Sequence, residues 1–215
     1  MGQIETIFNA VIEGDAAGAK SGVQAALSAG MSAEAILKQG LIAAMDEVGS
    51  RFEAGEFYVP EMLIAARAMQ AGLNLLKPLL ASQNSASAGR VVIGTVKGDM
   101  HDIGKNLVAM MLEGAGFEIV DLGTDTAPEK FVQAVQAHAP QVIAMSALFT
   151  TTMPNMQVTI DALQAAGLRQ HVKVIVGGAP VTEGFAKQIG ADGYSADAGS
   201  AVRLTKSLIG TNYSS

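Results

Sequence analysis

From Arg90 onward, short apolar runs alternate with stretches patterned for helix, and this alternation constrains the fold of the 215-residue chain more than any other feature. The runs are 91–96 (Val91-Val92-Ile93-Gly94-Thr95-Val96), 117–122, 141–145, 172–176 and a weaker one at 192–195. Helical segments of about a dozen residues separate them. Five strand–helix units predict a parallel sheet covered by helices, because parallel strands need long crossovers. Hydrophobic residues at 49% against charged residues at 16% are ample for its core.

Residues 1–82 read differently, with helix signals throughout. Asp15 and Ser32 have the character of N-caps, Gly14 and Gly30 of helix stops, and Pro60 suits a first helical turn. Met62, Ala66, Met69, Leu73, Leu76 and Leu80 alternate spacings of four and three, which makes one packing stripe. About four such segments joined by short turns predict a small antiparallel four-helix bundle. Between the halves, 81–89 lacks large apolar residues and is rich in Ser and Ala. The expected organisation is therefore a helical bundle over 1–82, a linker over 83–89 and an α/β domain over 90–215.

In the flavodoxin-like strand order, the second strand lies outside the first and the chain then crosses to the third. Ligands then bind between the ends of strands one and three. Unusual residues are expected after those two strands, and less often after strand two. After strand one comes Lys97-Gly98-Asp99-Met100-His101-Asp102-Ile103-Gly104, with an acid two residues before a histidine and a glycine three after it. After strand three comes Ser146-Ala147-Leu148-Phe149-Thr150-Thr151-Thr152, dense in hydroxyls, and after strand four Gly177-Gly178, which lets something press on the backbone.

These residues carry a resemblance. Asp99/His101/Gly104, Ser146/Leu148 and Gly177/Gly178 match, in order, the pattern of the cobalamin-binding modules of corrinoid-dependent methyltransferases. Upstream, residues 48–61 resemble the helical cap that precedes the cobalamin domain in methionine synthase. The chain as a whole resembles the stand-alone corrinoid proteins of the methanol, methylamine and methoxyarene methyl-transfer systems. The resemblance implies a Rossmann-like cobalamin domain behind a bundle cap, with His101 as the lower cobalt ligand. Asp99 would hold the imidazole, with Thr152 contacting Asp99 in turn where methionine synthase has a serine. Gly98, Met100, Asp102, Ile103 and Gly104 would lie under the corrin ring, with Gly98 and Gly104 making room. Ser146, Leu148, Thr150, Thr151, Gly177 and Gly178 would line the site of the nucleotide tail and ring. Phe52 and Val59 would shield the methyl group from above.

The function so implied is that of a methyl carrier, not an enzyme complete in itself. Cobalt(I) would accept a methyl group from a donor-specific methyltransferase, and methyl-cobalt(III) would pass it to a second one with a tetrahydrofolate or thiol acceptor. A reductive activator would be a third partner. A cobalamin-dependent sensor needs a basic DNA-binding segment, and a net charge of −6 argues against nucleic acid. The small subunit of an adenosylcobalamin mutase shares the histidine motif but lacks the cap. A receiver domain needs an acid where Ser146 stands. A zinc site at His101, Asp99 and Asp102 has no second histidine nearby, and the chain has no cysteine. No run of about 18 apolar residues and no signal peptide is present, so a cytoplasmic protein without a membrane partner is expected. His138 and His171 read as surface residues, the methionines at 62, 69, 110 and 111 as core, and Lys97 and Lys105 as balancing local acids.

Overall fold

The computed structural model describes residues 2–82 and 87–210. Of the connector expected at 83–89, residues 83–86 lie outside the described residues, as do 211–215 at the end of the second domain. The chain forms two compact units, one helical and one built on a sheet.

In the helical unit, α1 (Gln3–Ile12) packs on α2 (Ala16–Ser28), and α2 packs on α5 (Val59–Ser82). The caps fall where the sequence predicts them. Asp15 accepts the Gly18 N–H at 2.9 Å, and Ser32 accepts that of Ala35 at 3.2 Å. Gly14 and Gly30 follow helix ends at φ +74° and +84°, a conformation that favours glycine. Gly22 has a further reason to be small, since a Cβ there would lie 2.9 Å from Ile7 Cγ1 on α1. The third segment is continuous but not uniform: α3 (Ala33–Ala35) leads through a π-helical stretch, Ile36–Ile42, into α4 (Ala43–Glu53). Along α5, Met62, Ala66, Met69, Leu73 and Leu76 are buried, whereas Leu80 is half-buried.

The second unit is a five-stranded parallel sheet in the order β2-β1-β3-β4-β5. Its strands are β1 (Arg90–Thr95), β2 (Glu118–Asp121), β3 (Val142–Ser146), β4 (Lys173–Gly177) and β5 (Gly193–Tyr194). The flavodoxin-like order is thus borne out. Helices α6 (Ile103–Gly114), α7 (Pro128–His138), α8 (Pro154–Ala165), α9 (Glu183–Gln188) and α10 (Ala198–Ile209) make the connections and close the chain. Val92, Val96, Ile143, Met145, Val174 and Val176 pack with Phe131, Met156, Ile160 and Leu163 of α7 and α8 in one core. Pairing Thr95 with Ser146 and Ser146 with Gly177 aligns the carboxyl ends of β1, β3 and β4. Among the described residues, no helix is long and apolar enough to cross a membrane.

Candidate functional site

The carboxyl end of β1 is where the sheet presents its chemistry. Beyond Thr95, Val96 N–H donates to the Ser146 carbonyl at 3.0 Å, and Gly98 turns the chain at φ +81°. Asp99 then lies fully buried, while His101, two residues on, leaves 49% of its side chain exposed. The His101 ring Nδ1 sits 3.1 Å from Asp99 Oδ1, which also accepts the His101 backbone N–H at 3.1 Å. The loop after β3 supplies the other carboxylate oxygen with partners. Leu148 N–H donates to Asp99 Oδ2 at 2.7 Å, and Thr152 Oγ1 at 2.8 Å. The Thr152 hydroxyl also lies 2.9 Å from the Phe149 carbonyl, but its one proton goes to the stronger, charged acceptor.

Burial pushes the Asp99 carboxyl up, yet the donors at Leu148, His101 and Thr152 together outweigh it and hold the group down at about 2. An ionised carboxylate only accepts, so a neutral His101 carries its proton on Nδ1 and keeps the Nε2 lone pair for a ligand. Around the imidazole the surface is apolar: Met100 is 69% exposed, Ile103 78%, Leu148 38% and Phe149 49%. The Phe149 ring meets His101 edge-on, with centroids 4.7 Å apart. Such exposure of large apolar side chains beside one imidazole nitrogen with an open lone pair fits a flat, largely apolar group. At Gly104 an added Cβ would meet nothing within 4 Å, so the protein's own packing does not require a glycine there.

Other predicted residues fall on the same loops with different surroundings. Asp102 is exposed and accepts from Asn106 Nδ2 at 3.2 Å. Ser146 is half-buried at the end of β3, and Thr150 and Thr151 are exposed, so only Thr152 of the three threonines reaches Asp99. The close approach expected at Gly177 and Gly178 is made by the protein itself. A Cβ on Gly178, at φ +131°, would lie 1.9 Å from the Ala147 carbonyl oxygen, and one on Gly177 3.0 Å from that of Ser195. Phe52 and Val59 belong to the helical unit, Phe52 half-buried near the end of α4 and Val59 38% exposed at the start of α5. His138 and His171 are exposed, and Met110 is half-buried, unlike Met62, Met69 and Met111. Lys105 is buried and pairs with Asp121 at 2.5 Å.

Sequence reasoning missed a set of groups that hold the loop. Thr95 Oγ1 donates to the His101 carbonyl at 2.8 Å, Asp125 Oδ1 accepts the Gly98 N–H at 2.7 Å, and Asn155 Nδ2 donates to the Lys97 carbonyl at 2.8 Å. Asp125 follows strand two, where the switch-point argument expects less. The available signal was a threonine ending an otherwise apolar run and an acid between two threonines after the second strand.

Among the described residues, no three His, Cys, Asp or Glu side chains are grouped to hold a metal. Residues 89–203 match the family model of the B12 binding domain, and residues 3–77 match a second model, also described as a B12 binding domain. The chain belongs to the B12-binding family. Its cofactor is a corrinoid, which the single imidazole and its apolar surround fit. Among this family's members, trimethylamine corrinoid protein 2 of Methanosarcina mazei is 43% identical over 203 residues, 94% of this chain and 93% of that protein. Dimethylamine corrinoid protein 1 of Methanosarcina acetivorans is 45% identical over 175 residues, 81% of this chain and 82% of the relative. The crystal structure of the methanol:cobalamin methyltransferase complex MtaBC from Methanosarcina barkeri superposes with a TM-score of 0.87 at 30% identity, covering 98% of this chain and 80% of that one. A cobalamin-binding protein from Desulfitobacterium hafniense gives 0.80 at 32%, covering 95% and 98%.

Proposed function

We propose that the chain is a methyl carrier that works between methyltransferases, with His101 as the lower axial ligand of the cobalt. The observation that carries this reading is the His101–Asp99 pair. A buried, ionised carboxylate holds Nδ1 while Nε2 remains uncommitted on an exposed apolar surface. When bound, the corrinoid supplies a cobalt that takes up a methyl group in its reduced form and yields it to a nucleophilic acceptor. The chain's own residues orient and tune. Asp99 fixes the tautomer and strengthens Nε2 as a donor, and Thr152 and the Leu148 N–H keep Asp99 charged. Met100, Ile103, Gly104 and Leu148 would bear the ring, Gly98 turns the loop beneath it, and Asp102 flanks it. Ser146, Thr150, Thr151, Gly177 and Gly178 would meet its nucleotide tail, in the gaps their own backbone contacts leave.

The two family matches, over 3–77 and 89–203, support a division into a cap over 1–82, a linker over 83–89 and a cobalamin domain over 90–215. Phe52 and Val59 would act in that cap. The partners in this reading are a donor-specific methyltransferase, an acceptor methyltransferase using tetrahydrofolate or a thiol, and a reductive activator. The relatives named for trimethylamine and dimethylamine make methylated amines the first donors to try. The test is to load the protein with cobalamin and compare visible spectra with those of His101→Ala. Loss or change of the histidine-bound spectrum is expected, and an identical spectrum refutes the ligand assignment.

A further inference from the structure

Outside the Asp99–Thr152 pair, Asn155 holds the loop that carries His101 at Lys97, and Thr95 and Asp125 grip its main chain closer to the imidazole. Thr95 ends β1 and is fully buried; its backbone N–H bonds the Gly123 carbonyl and its carbonyl the Thr126 N–H. That leaves its hydroxyl, which reaches six residues ahead to the His101 carbonyl at 2.8 Å. Asp125 grips the other end. It accepts the Gly98 N–H at 2.7 Å and returns its own N–H to the Asp99 carbonyl at 2.9 Å. It does so at φ +49°, a left-handed conformation that aspartate tolerates better than most residues, so the turn is shaped to present both groups.

We propose that Thr95 and Asp125 form a main-chain clamp that positions His101 for the cobalt. The inference rests on reading His101 as the ligand. Asp99 holds one ring atom and the His101 backbone N–H, and a ring held at one atom can still pivot about it unless the main chain on both sides is fixed. Direction is fixed only when the backbone behind the ring is also held. Thr95 fixes the backbone at residue 101, and Asp125 fixes it at 98 and 99. Neither touches the ring, so both are positioning residues, and their loss should alter how often the imidazole sits on the metal.

The experiment uses the whole chain, unloaded and loaded with cobalamin, as wild type, Thr95→Val, Thr95→Ser, Asp125→Ala, Asp125→Asn and His101→Ala. Visible absorption reads the ratio of histidine-bound to histidine-free cobalt, and amide hydrogen exchange on the unloaded protein reads the loop. Thr95→Val and Asp125→Ala are each expected to move that ratio toward the free form, about tenfold for the part-buried Thr95 bond and about threefold for the exposed Asp125 bond. Exchange at residues 98–101 should rise in both while the amides of β3 hold. Thr95→Ser and Asp125→Asn keep the donor and the acceptor and should restore both readings. A wild-type ratio in either folded variant, Thr95→Val or Asp125→Ala, overturns the clamp. Should Thr95→Val fail to fold, Asp125→Ala, at an exposed position, decides alone. If His101→Ala has the wild-type spectrum, the ligand reading fails instead. Loop exchange in the unloaded variants then still judges the grip on the backbone.

Discussion

Asp99 has no exposed surface, and burial by itself would drive its carboxyl toward the neutral form; donors from Leu148, His101 and Thr152 reverse that and bring it from an ordinary 3.8 to about 2. The sign of the stability effect follows. A carboxylate depressed in the folded state binds its proton first in the unfolded chain, so its contribution is whole above the ordinary value and is lost as pH falls through about 2. Urea denaturation of wild type and Asp99→Asn tests this. The stability gap between them is expected to shrink by on the order of 2 kcal/mol from pH 5 to pH 2. A gap that stays constant over that interval means the native carboxylate is not depressed. The same charge is what makes Nδ1–H the settled tautomer of His101, so stability and donor strength have one origin.

At the scale of elements, strand ends and helix starts separate glycines that serve the fold from those that serve a ligand. Gly178, just past β4, has the Ala147 carbonyl where a Cβ would go, whereas Gly104, in the first turn of α6, has open space. Gly178→Ala is expected to lower stability by about 3 kcal/mol or more, because backbone must move. Gly104→Ala should leave unfolding within about 1 kcal/mol of wild type, alanine being the better helix former. If the glycine makes room for the ring, that same variant weakens cobalamin binding about tenfold or more. Unfolding curves and cobalamin titrations distinguish the two, and unimpaired binding by Gly104→Ala removes its assignment. Much of this was legible beforehand: the apolar run 141–145 reads as a buried strand, observed one residue on at Val142–Ser146, and Asp15 and Ser32 read as caps. The strand order brings the loops after β1 and β3 side by side, and the resemblance to cobalamin-binding modules is what assigns Asp99 to His101 and Thr152 to Asp99. The π-helical stretch Ile36–Ile42 was not legible, since its apolar residues also satisfy an ordinary helical period. Nor was the grip of Asp125, because an acid between two threonines marks the position but not the left-handed turn at its own residue on which the grip depends. The two glycines after β4 were legible as a close approach, but not as an approach of the protein to itself.

At the scale of the whole molecule, a corrinoid protein has a use for a helical unit in addition to its sheet. A methyl group carried on cobalt would need shielding from water and light, yet would have to be accepted from one partner and passed to another. The helical segment matches a B12 binding domain model in its own right over residues 3–77, which supports a direct part in holding the cofactor. Within that unit, Phe52 lies near the end of α4 and Val59 in the first turn of α5, joined by residues 54–58. That join is ordered locally, with Glu56 and Phe57 both donating to the Arg51 carbonyl and the Arg51 guanidinium 5.4 Å from the centre of the Phe57 ring. If Phe52 shields the methyl group, it does so from the last turn of α4, next to this braced join. Removing the phenyl group should then expose the methyl group while leaving the imidazole side untouched. Protein loaded with methylcobalamin is expected to lose its methyl group under a fixed lamp several-fold faster in Phe52→Ala than in wild type, with the histidine-bound absorption unchanged before illumination. Equal photolysis rates, with the variant folded and loaded, would mean that Phe52 is bundle packing and that the shield lies elsewhere.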